Sequence, residues 1–350
     1  MTGPHPAVAA CRWHVRRSLT VAALAPGDTV VIACSGGADS LALAAAVAFE
    51  APKRDLATVA VVVDHQLQDG SAAVARRAAE QCRGLGVGRA QVRTVEVVAT
   101  GDGPEAAARS ARYAALDAAA ASCQAGAVLL GHTRDDQAET VLLALARGSG
   151  PLAITGMAPA TLGLDTQPRS SAAGRPAGAG RPAGATWLRP LLGVTREQTH
   201  AACAALGLQP WHDPHNDDPR YLRVRVRRAL AELEEGIGPG VVAGLARTAD
   251  LIRDDLTFLD DWAQRAARDL GESPWQVDEL VALPAPVRSR VWRALLRAAG
   301  SPAASLGKVH IDAVDALVTD WHGQRPAHVP GGLQARRGGG VIVVEPRPVQ

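Results

Sequence analysis

Ser35-Gly36-Gly37-Ala38-Asp39-Ser40 stands between an apolar run, Thr29-Val30-Val31-Ile32-Ala33, and an alanine- and leucine-rich run from Leu41 to Phe49. The succession reads as strand, tight turn, helix. Two adjacent glycines let backbone amides approach a ligand with no Cβ in the way, and the following helix aims its unpaired N–H groups and positive dipole end at the same spot. That makes a place for an anion, to which Ser35 and Ser40 add hydroxyl donors. Asp39 puts a carboxylate where phosphate would sit, which is unfavourable unless a divalent cation lies between them, so Asp39 is the candidate Mg²⁺ contact. A second reading competes: Asp39 or Ser40 caps the helix and the glycines only make the turn. The loop lacks the GxxxxGK[ST] pattern and is not a Walker loop.

The chain around it has 350 residues, room for two domains, and its 47% hydrophobic content supports a packed core. Aromatic residues make up only 3%, so packing rests on Ala, Val and Leu, with the seven tryptophans as isolated anchors. A net charge of +2 does not announce nucleic-acid binding, and any RNA contact must come from a local basic patch. Cys11, Cys34, Cys82, Cys123 and Cys203 are scattered with no CxxC pair, which argues against zinc or iron–sulfur ligation and against a disulfide scaffold. No apolar run has the roughly 18 residues that span a bilayer, and the N-terminus lacks the order of a signal peptide. The expectation is a soluble, cytoplasmic protein.

Outward from the loop the pattern alternates between strand and helix. Residues 7–19 read as a short helix. Ala57 to Val63 is a β-branched run suited to a strand buried on both faces of a parallel sheet, and it ends in Asp64-His65. Polar groups at the C-terminal end of such a strand sit where open α/β sheets bind ligands, which makes Asp64 and His65 candidates for the base or ribose of a nucleotide. Capping of the next helix is the competing role. Residues 71–85 read as a helix, Gln91 to Val98 as a third strand, and Pro104-Glu105 as the start of a long helix through Ser122 that carries Glu105, Arg109 and Arg112 on one face. Val128 to Gly131 is a fourth strand. It runs into His132-Thr133-Arg134-Asp135-Asp136-Gln137-Ala138-Glu139-Thr140, which crowds three carboxylates into one helix start. Capping accounts for one acid; three facing an anion loop point to a cation, either Mg²⁺ or a substrate ammonium.

Residues 165–186, with Gly-Arg-Pro-Ala-Gly-Ala occurring twice, read as a flexible insertion. Trp187 to Leu192 reads as a short strand, and Thr195 to Leu206 as a helix capped by Thr195. Five arginines then fall between Arg220 and Arg228, after a turn rich in Asp, Asn and Pro, as a phosphate-backbone footprint would. The remainder is helical over Val241 to Leu270, Pro284 to Ala299 and Leu306 to Trp321, and ends in a small hairpin made of Ala327-His328-Val329-Pro330, a glycine-flanked turn and Val341 to Val344. The expected fold is α/β, a doubly wound, mostly parallel sheet over 1–220, followed by a smaller, mainly helical domain over 221–350.

Taken together, the loop, Asp64-His65, Glu105 to Tyr113, Gly131 to Thr140 continuing through Arg147-Gly148-Ser149-Gly150, Arg189-Pro190-Leu191-Leu192, and Asp213 to Arg227 closely resemble the tRNA(Ile)-lysidine synthetase family of the ATP pyrophosphatase (PP-loop) superfamily. Six motifs in order, over roughly residues 28–230 without the insertion, carry the resemblance. It implies a two-step reaction. ATP adenylates the C2 oxygen of the wobble cytidine in an isoleucine tRNA with a CAU anticodon, and free L-lysine then displaces AMP. It also implies that Ser35, Gly36, Gly37, Ala38, Asp39 and Ser40 hold pyrophosphate, with Asp39 on Mg²⁺. Arg112 lies near the triphosphate and His132 borders the site; Asp136 and Glu139 take the lysine, and with Asp39 they form the catalytic set. Asn216, Tyr221, Arg223 and Arg227 match a tRNA-facing segment. Thr133 departs from the family, where many members have a second histidine, as does Val224, where asparagine is common. A homodimer is left open. The alternatives are another PP-loop tRNA-modifying or amide-forming adenylating enzyme, and a noncatalytic nucleotide- or RNA-binding module.

Overall fold

The structure, a computed structural model, describes residues 3–66, 68, 70–97, 104–162 and 184–348, the side chains of 104 and 105 excepted. It divides into two compact units, Met1–Ile252 and Arg253–Gln350. Most of the repeat-bearing stretch, and with it the expected flexible insertion, lies outside the described residues.

In the first unit the elements follow one another as α1 (Pro6–Val21), β1 (Thr29–Ala33), α2 (Ala38–Glu50), β2 (Ala57–Asp64), α3 (Ser71–Gly84), β3 (Arg89–Thr94), α4 (Pro104–Ser122), β4 (Ala127–Leu129), α5 (Arg134–Ala146), α6 (Pro151–Ile154), β5 (Ala160–Leu162), β6 (Thr186–Leu188), α7 (Arg196–Ala205) and α8 (Leu222–Ile237). The strands form one sheet in the order β3-β2-β1-β4-β6-β5, parallel except for the antiparallel edge strand β5. The chain runs outward from β1 through β2 to β3, then returns to the other side of β1 with β4. The crevice between β1 and β4 is therefore the topological switch point, where open α/β sheets bind their ligands.

Both faces of the sheet are covered, as the unbroken apolar strands require. Val30 and Ile32 of β1, Ala60 and Val62 of β2 and Leu129 of β4 pack under α1, α2, α3 and α7. Their alternate neighbours Val31, Val59, Val61 and Val128 pack with Tyr113, Leu116 and Ala120 of α4 and with Trp187. Tyr113 and Trp187 stack at 5.2 Å, one of the few aromatic anchors in an alanine-rich core. Beyond Leu188 the expected strand gives way at Pro190, which cannot donate to a ladder, to a 3₁₀ turn over Pro190–Gly193. Helix α8 buries Val226 and Leu230 against Ala138 of α5. The basic stretch thus packs within the first unit, whose limit falls inside α9 (Val241–Leu270) instead of near residue 220.

In the second unit come β7 (Trp275–Gln276), α10 (Val277–Val281), α11 (Ala285–Ala298), α12 (Lys308–Thr319), β8 (Ala327–Val329), β9 (Leu333–Gly338) and β10 (Val341–Pro346). The terminal hairpin is β9 with β10, and it belongs to an antiparallel four-stranded sheet in the order β7-β10-β9-β8. The two residues of β7 leave too little periodicity to be read from sequence. Trp292 is fully buried, touches Trp275 edge to face, and donates its indole N–H to Asp315 Oδ1 at 2.9 Å. Asp315 also receives Arg288 Nε at 2.7 Å, so a buried cation, carboxylate and indole satisfy one another.

Candidate active site

The loop after β1 does what two glycines permit. Gly36 adopts φ +85°, and a Cβ there would stand 3.1 Å from the Ala78 Cβ of α3. Gly37 is the residue before the first turn of α2 and supplies no side-chain cap. Ser40 Oγ accepts from the Ser35 N–H at 3.1 Å and donates to the Gly37 carbonyl at 2.9 Å, holding the turn closed. Asp39 does not cap: its Oδ1 accepts from the Thr199 hydroxyl of α7 and its Oδ2 lies 4.0 Å from Arg196 Nε. Of the two sequence readings of this acid, helix capping is the one the geometry rejects.

Across the switch point, the loop after β4 abuts the first loop directly. A Cβ on Gly131 would lie 3.1 Å from the Asp39 carbonyl oxygen and 3.2 Å from Ser40 Cα, so only glycine lets the two backbones approach this closely. Thr133, fully buried, begins α5 with a capping box: Asp136 Oδ2 accepts from the Thr133 N–H at 2.8 Å and from its hydroxyl at 3.0 Å. Asp136 Oδ1 is left for another partner, and that partner is Arg196. One terminal guanidinium nitrogen of Arg196 donates to Asp136 Oδ1 at 3.0 Å and to Glu139 Oε1 at 3.2 Å, while its backbone N–H reaches Asp135 Oδ2 at 2.8 Å. Arg227 Nε donates to the same Glu139 oxygen at 3.1 Å. Glu139 is 1% exposed, and its Oε2 has no hydrogen-bond partner among the described residues.

These surroundings move the titrations apart. Burial raises the pKa of Asp39, against the Thr199 hydrogen bond, with Asp136 adding to the rise. Asp136 is also desolvated, yet Arg196, His132 and the Thr133 donors hold it below the ordinary carboxylate value. His132 is pushed down to about 3, first by burial and then by Arg189, Arg112 and Arg109, with Asp136 pulling the other way. It is neutral at physiological pH. Arg112 is lowered by burial and by repulsion from Arg109 and Arg223. His132 thus lies within electrostatic reach of both Asp136 and three arginines, so cation-seeking and phosphate-seeking groups share one crevice.

Asp64 and His65 line a cavity of about 120 Å³ beside the loop, together with Ser35, Gln68, Trp211 and Asp213. Neither caps α3, which begins after Gly70 with no side-chain cap. Asp64 Oδ1 accepts from the Gln66 N–H at 3.0 Å, and the buried His65 Nδ1 is unpartnered. Burial, then Arg112, lowers the His65 pKa. Asn216 is exposed in a short 3₁₀ turn, and Tyr221, at the start of α8, lies 5.4 Å from the His215 ring. Arg223 lies within electrostatic reach of Arg112, and Arg227 joins the acid cluster. The site thus gathers the loop, His132, Asp136, Glu139, Arg112, Arg223 and Arg227, while Asn216 and Tyr221 belong to the turn leading into α8. Sequence reasoning missed Arg196 and Thr199: each sits in the first turns of a helix that reads as an ordinary surface element. The only signal was the run of acids, which required a cation.

A family model described as the PP-loop domain matches residues 14–234, and one described as the TilS substrate binding domain matches residues 276–342. The tRNA(Ile)-lysidine synthase of Thermobifida fusca (strain YX) is 48% identical over 98% of this chain and 99% of its own length. That of Leifsonia xyli subsp. xyli (strain CTCB07) is 49% identical over 90% of both chains. Among solved structures, the U34-tRNA thiolase NcsA from Methanococcus maripaludis superposes with a TM-score of 0.54, covering 71% of this chain and 80% of that one at 16% identity, a likeness of fold. With the loop, the acid turn and the arginines near His132 all inside a matched PP-loop domain, and with relatives aligned over 98% of the chain, the chain belongs to the tRNA(Ile)-lysidine synthase family.

Proposed function

We propose that the chain converts the wobble cytidine of an isoleucine tRNA with a CAU anticodon into lysidine, using ATP and free L-lysine. In the first step the cytidine O2 attacks the α-phosphate of ATP and pyrophosphate leaves; in the second the lysine ε-amine bonds to C2 and the oxygen departs with AMP. The observation that carries this reading is the Gly131 contact, which sets a phosphate-shaped loop against a turn of buried acids. Adenylation turns a poor leaving oxygen into a good one, and it needs the first wall; the incoming amine needs the second.

Ser35, Ser40 and the open N–H groups of the loop and of the first turn of α2 take the pyrophosphate moiety, with Arg112 and Arg223 opposing the remaining negative charge. Asp64 and His65 flank the nucleoside in the adjoining cavity. A divalent cation fits at Asp39, whose Oδ2 stands 4.0 Å from Arg196 Nε, since Mg²⁺ is commonly held by one carboxylate and phosphate oxygens. When bound, Mg²⁺ offsets charge on the phosphates. Lysine must lose a proton from a group that titrates near 10.4 before it attacks. The carboxylates of Asp136 and Glu139 orient the ammonium, and the unpartnered Glu139 Oε2 is an acceptor for that proton. The exposed arginines at the start of α8 and the second unit hold the tRNA. No helix among the described residues is long and apolar enough to cross a membrane, and a tRNA substrate supports a cytoplasmic location.

The test is incubation of purified protein with ATP, Mg²⁺, labelled lysine and the CAU-anticodon isoleucine tRNA. Labelled tRNA and AMP should appear in equal amounts, and Asp39→Asn should abolish both while the tRNA still binds. A folded protein that incorporates no lysine overturns the proposal.

A further inference from the structure

The acid cluster is not open to an incoming amine as it stands, because Arg196 fills it. We infer that Arg196 is a resident counter-ion seated where the substrate ammonium goes, and that it must release Asp136 and Glu139 before lysine can bind. This rests on the reading of those two acids as the amine site.

The geometry is specific on one point. A single guanidinium nitrogen serves both acids, at 3.0 Å from Asp136 Oδ1 and 3.2 Å from Glu139 Oε1. An ammonium nitrogen at that point makes the same two hydrogen bonds and has a third proton to give. The third acceptor is present as well: Glu139 Oε2 is buried and unpartnered, and the resident guanidinium leaves it unsatisfied. An ammonium, not held at that point by a guanidinium plane, can shift toward Oε2 and satisfy the oxygen that the arginine leaves unpaired.

The arginine is also built to leave. Its backbone is fixed independently of its side chain, by the Thr195 capping box at the start of α7 and by the N–H bond to Asp135. Its side chain keeps 22% of its surface exposed. The guanidinium can therefore swing out while α7 stays in place. Two buried carboxylates so close together would share a proton if no cation neutralised them. Before substrate arrives, Arg196, with Arg227 on the Glu139 side, supplies the positive charge that offsets the two acids, and its competition sets the lysine concentration at which the site fills.

Arg196 is accordingly a positioning residue, and the sign of its effect on the lysine KM separates this role from its rivals. Arg196→Gln should lower the lysine KM about fivefold or more, the scale of a typical coupling between two ligands. A raised or unchanged lysine KM overturns the inference: a rise assigns Arg196 to the substrate carboxylate or to a structural prop. Asp136→Asn and Glu139→Gln test the underlying reading separately. Both should raise the lysine KM, and if neither does, the amine site lies elsewhere and the inference falls with it. A second measurement needs no disruptive variant. In protein labelled with ¹⁵N-arginine, the Arg196 Nε–H resonance, assigned by its loss in Arg196→Lys, should move to a solvent-exposed position when lysine saturates the enzyme. A resonance that does not move overturns the displacement.

Discussion

His132 shows how much of this site's behaviour depends on keeping one ring neutral. Burial, with Arg189, Arg112 and Arg109 facing it, pushes its pKa from 6.5 to about 3. In the unfolded chain the ring regains its ordinary value, so between these limits the unfolded state binds more protons than the folded one. Stability from this group is therefore fully present above pH 6.5 and is lost as the pH falls toward 3, with a slope approaching about 1.4 kcal/mol per pH unit. Urea midpoints measured across that window should fall with decreasing pH in the wild type, and His132→Asn should flatten the trend. An unchanged slope would place the acid sensitivity elsewhere. At this scale the sequence was partly legible. His132, Asp39, Asp136 and Glu139 are short polar residues at strand ends and helix starts, where period and punctuation pick them out. Arg196 and Thr199 were not, because their partners lie far away in the chain and only the closed fold supplies them.

At the scale of elements, the site is made by the two loops that follow β1 and β4. Each loop is readable by itself, as an apolar run, a small-residue turn and a helix. Their adjacency is not, since it follows from the strand order and not from either stretch. Gly131 is where the order becomes contact. Gly131→Ala would push a Cβ against Asp39 and Ser40 backbone atoms at 3.1 and 3.2 Å, and backbone yields far less readily than a side-chain tip. The expected cost is about 1–3 kcal/mol in stability, from overpacking, and a loss of roughly 100-fold in kcat/KM as the loops are forced apart. Denaturant midpoints and AMP release measure the two effects separately. A variant that loses stability but keeps full turnover would show that the loop spacing matters only for folding. The long helices were legible nearly to the residue, α4 and α9 among them. The two-residue strand β7 was not, and β8 was readable but its partner was not: it pairs with β9 and not with the stretch Val341 to Val344, because pairing across the sheet is not written in local pattern.

At the scale of the whole molecule, a net charge of +2 conceals a division of labour among the basic residues. Of the arginines near the start of α8, half-buried Arg227 donates to Glu139 and half-buried Arg223 lies within electrostatic reach of Arg112, so both already face charged groups of the site. Arg225 and Arg228 are exposed and donate only to backbone carbonyls, at Pro219, Arg220 and Asp217. Each remains able to meet a phosphate. Replacing Arg225 and Arg228 by glutamine should weaken tRNA binding and reduce the slope of log K against log salt by about 0.7–0.9 for each phosphate left without its arginine. Arg227→Gln should act mainly on lysine use. Equal salt slopes for wild type and the double variant would move the tRNA surface away from α8. Composition alone could not have made this distinction, since it counts charges without saying which are already spoken for.

The capping box at Thr133 has a further consequence. Asp136 gives one oxygen to the start of α5 and the other to Arg196, so the group that caps the helix is also the group proposed to meet substrate. A slip of one residue along α5 would turn the carboxylate about a quarter of the way round the helix axis, and fraying of the first turn would withdraw it altogether. Errors of local folding therefore silence the enzyme and do not misdirect it. For a catalyst that rewrites the decoding base of a tRNA, a mute molecule is safer than a careless one.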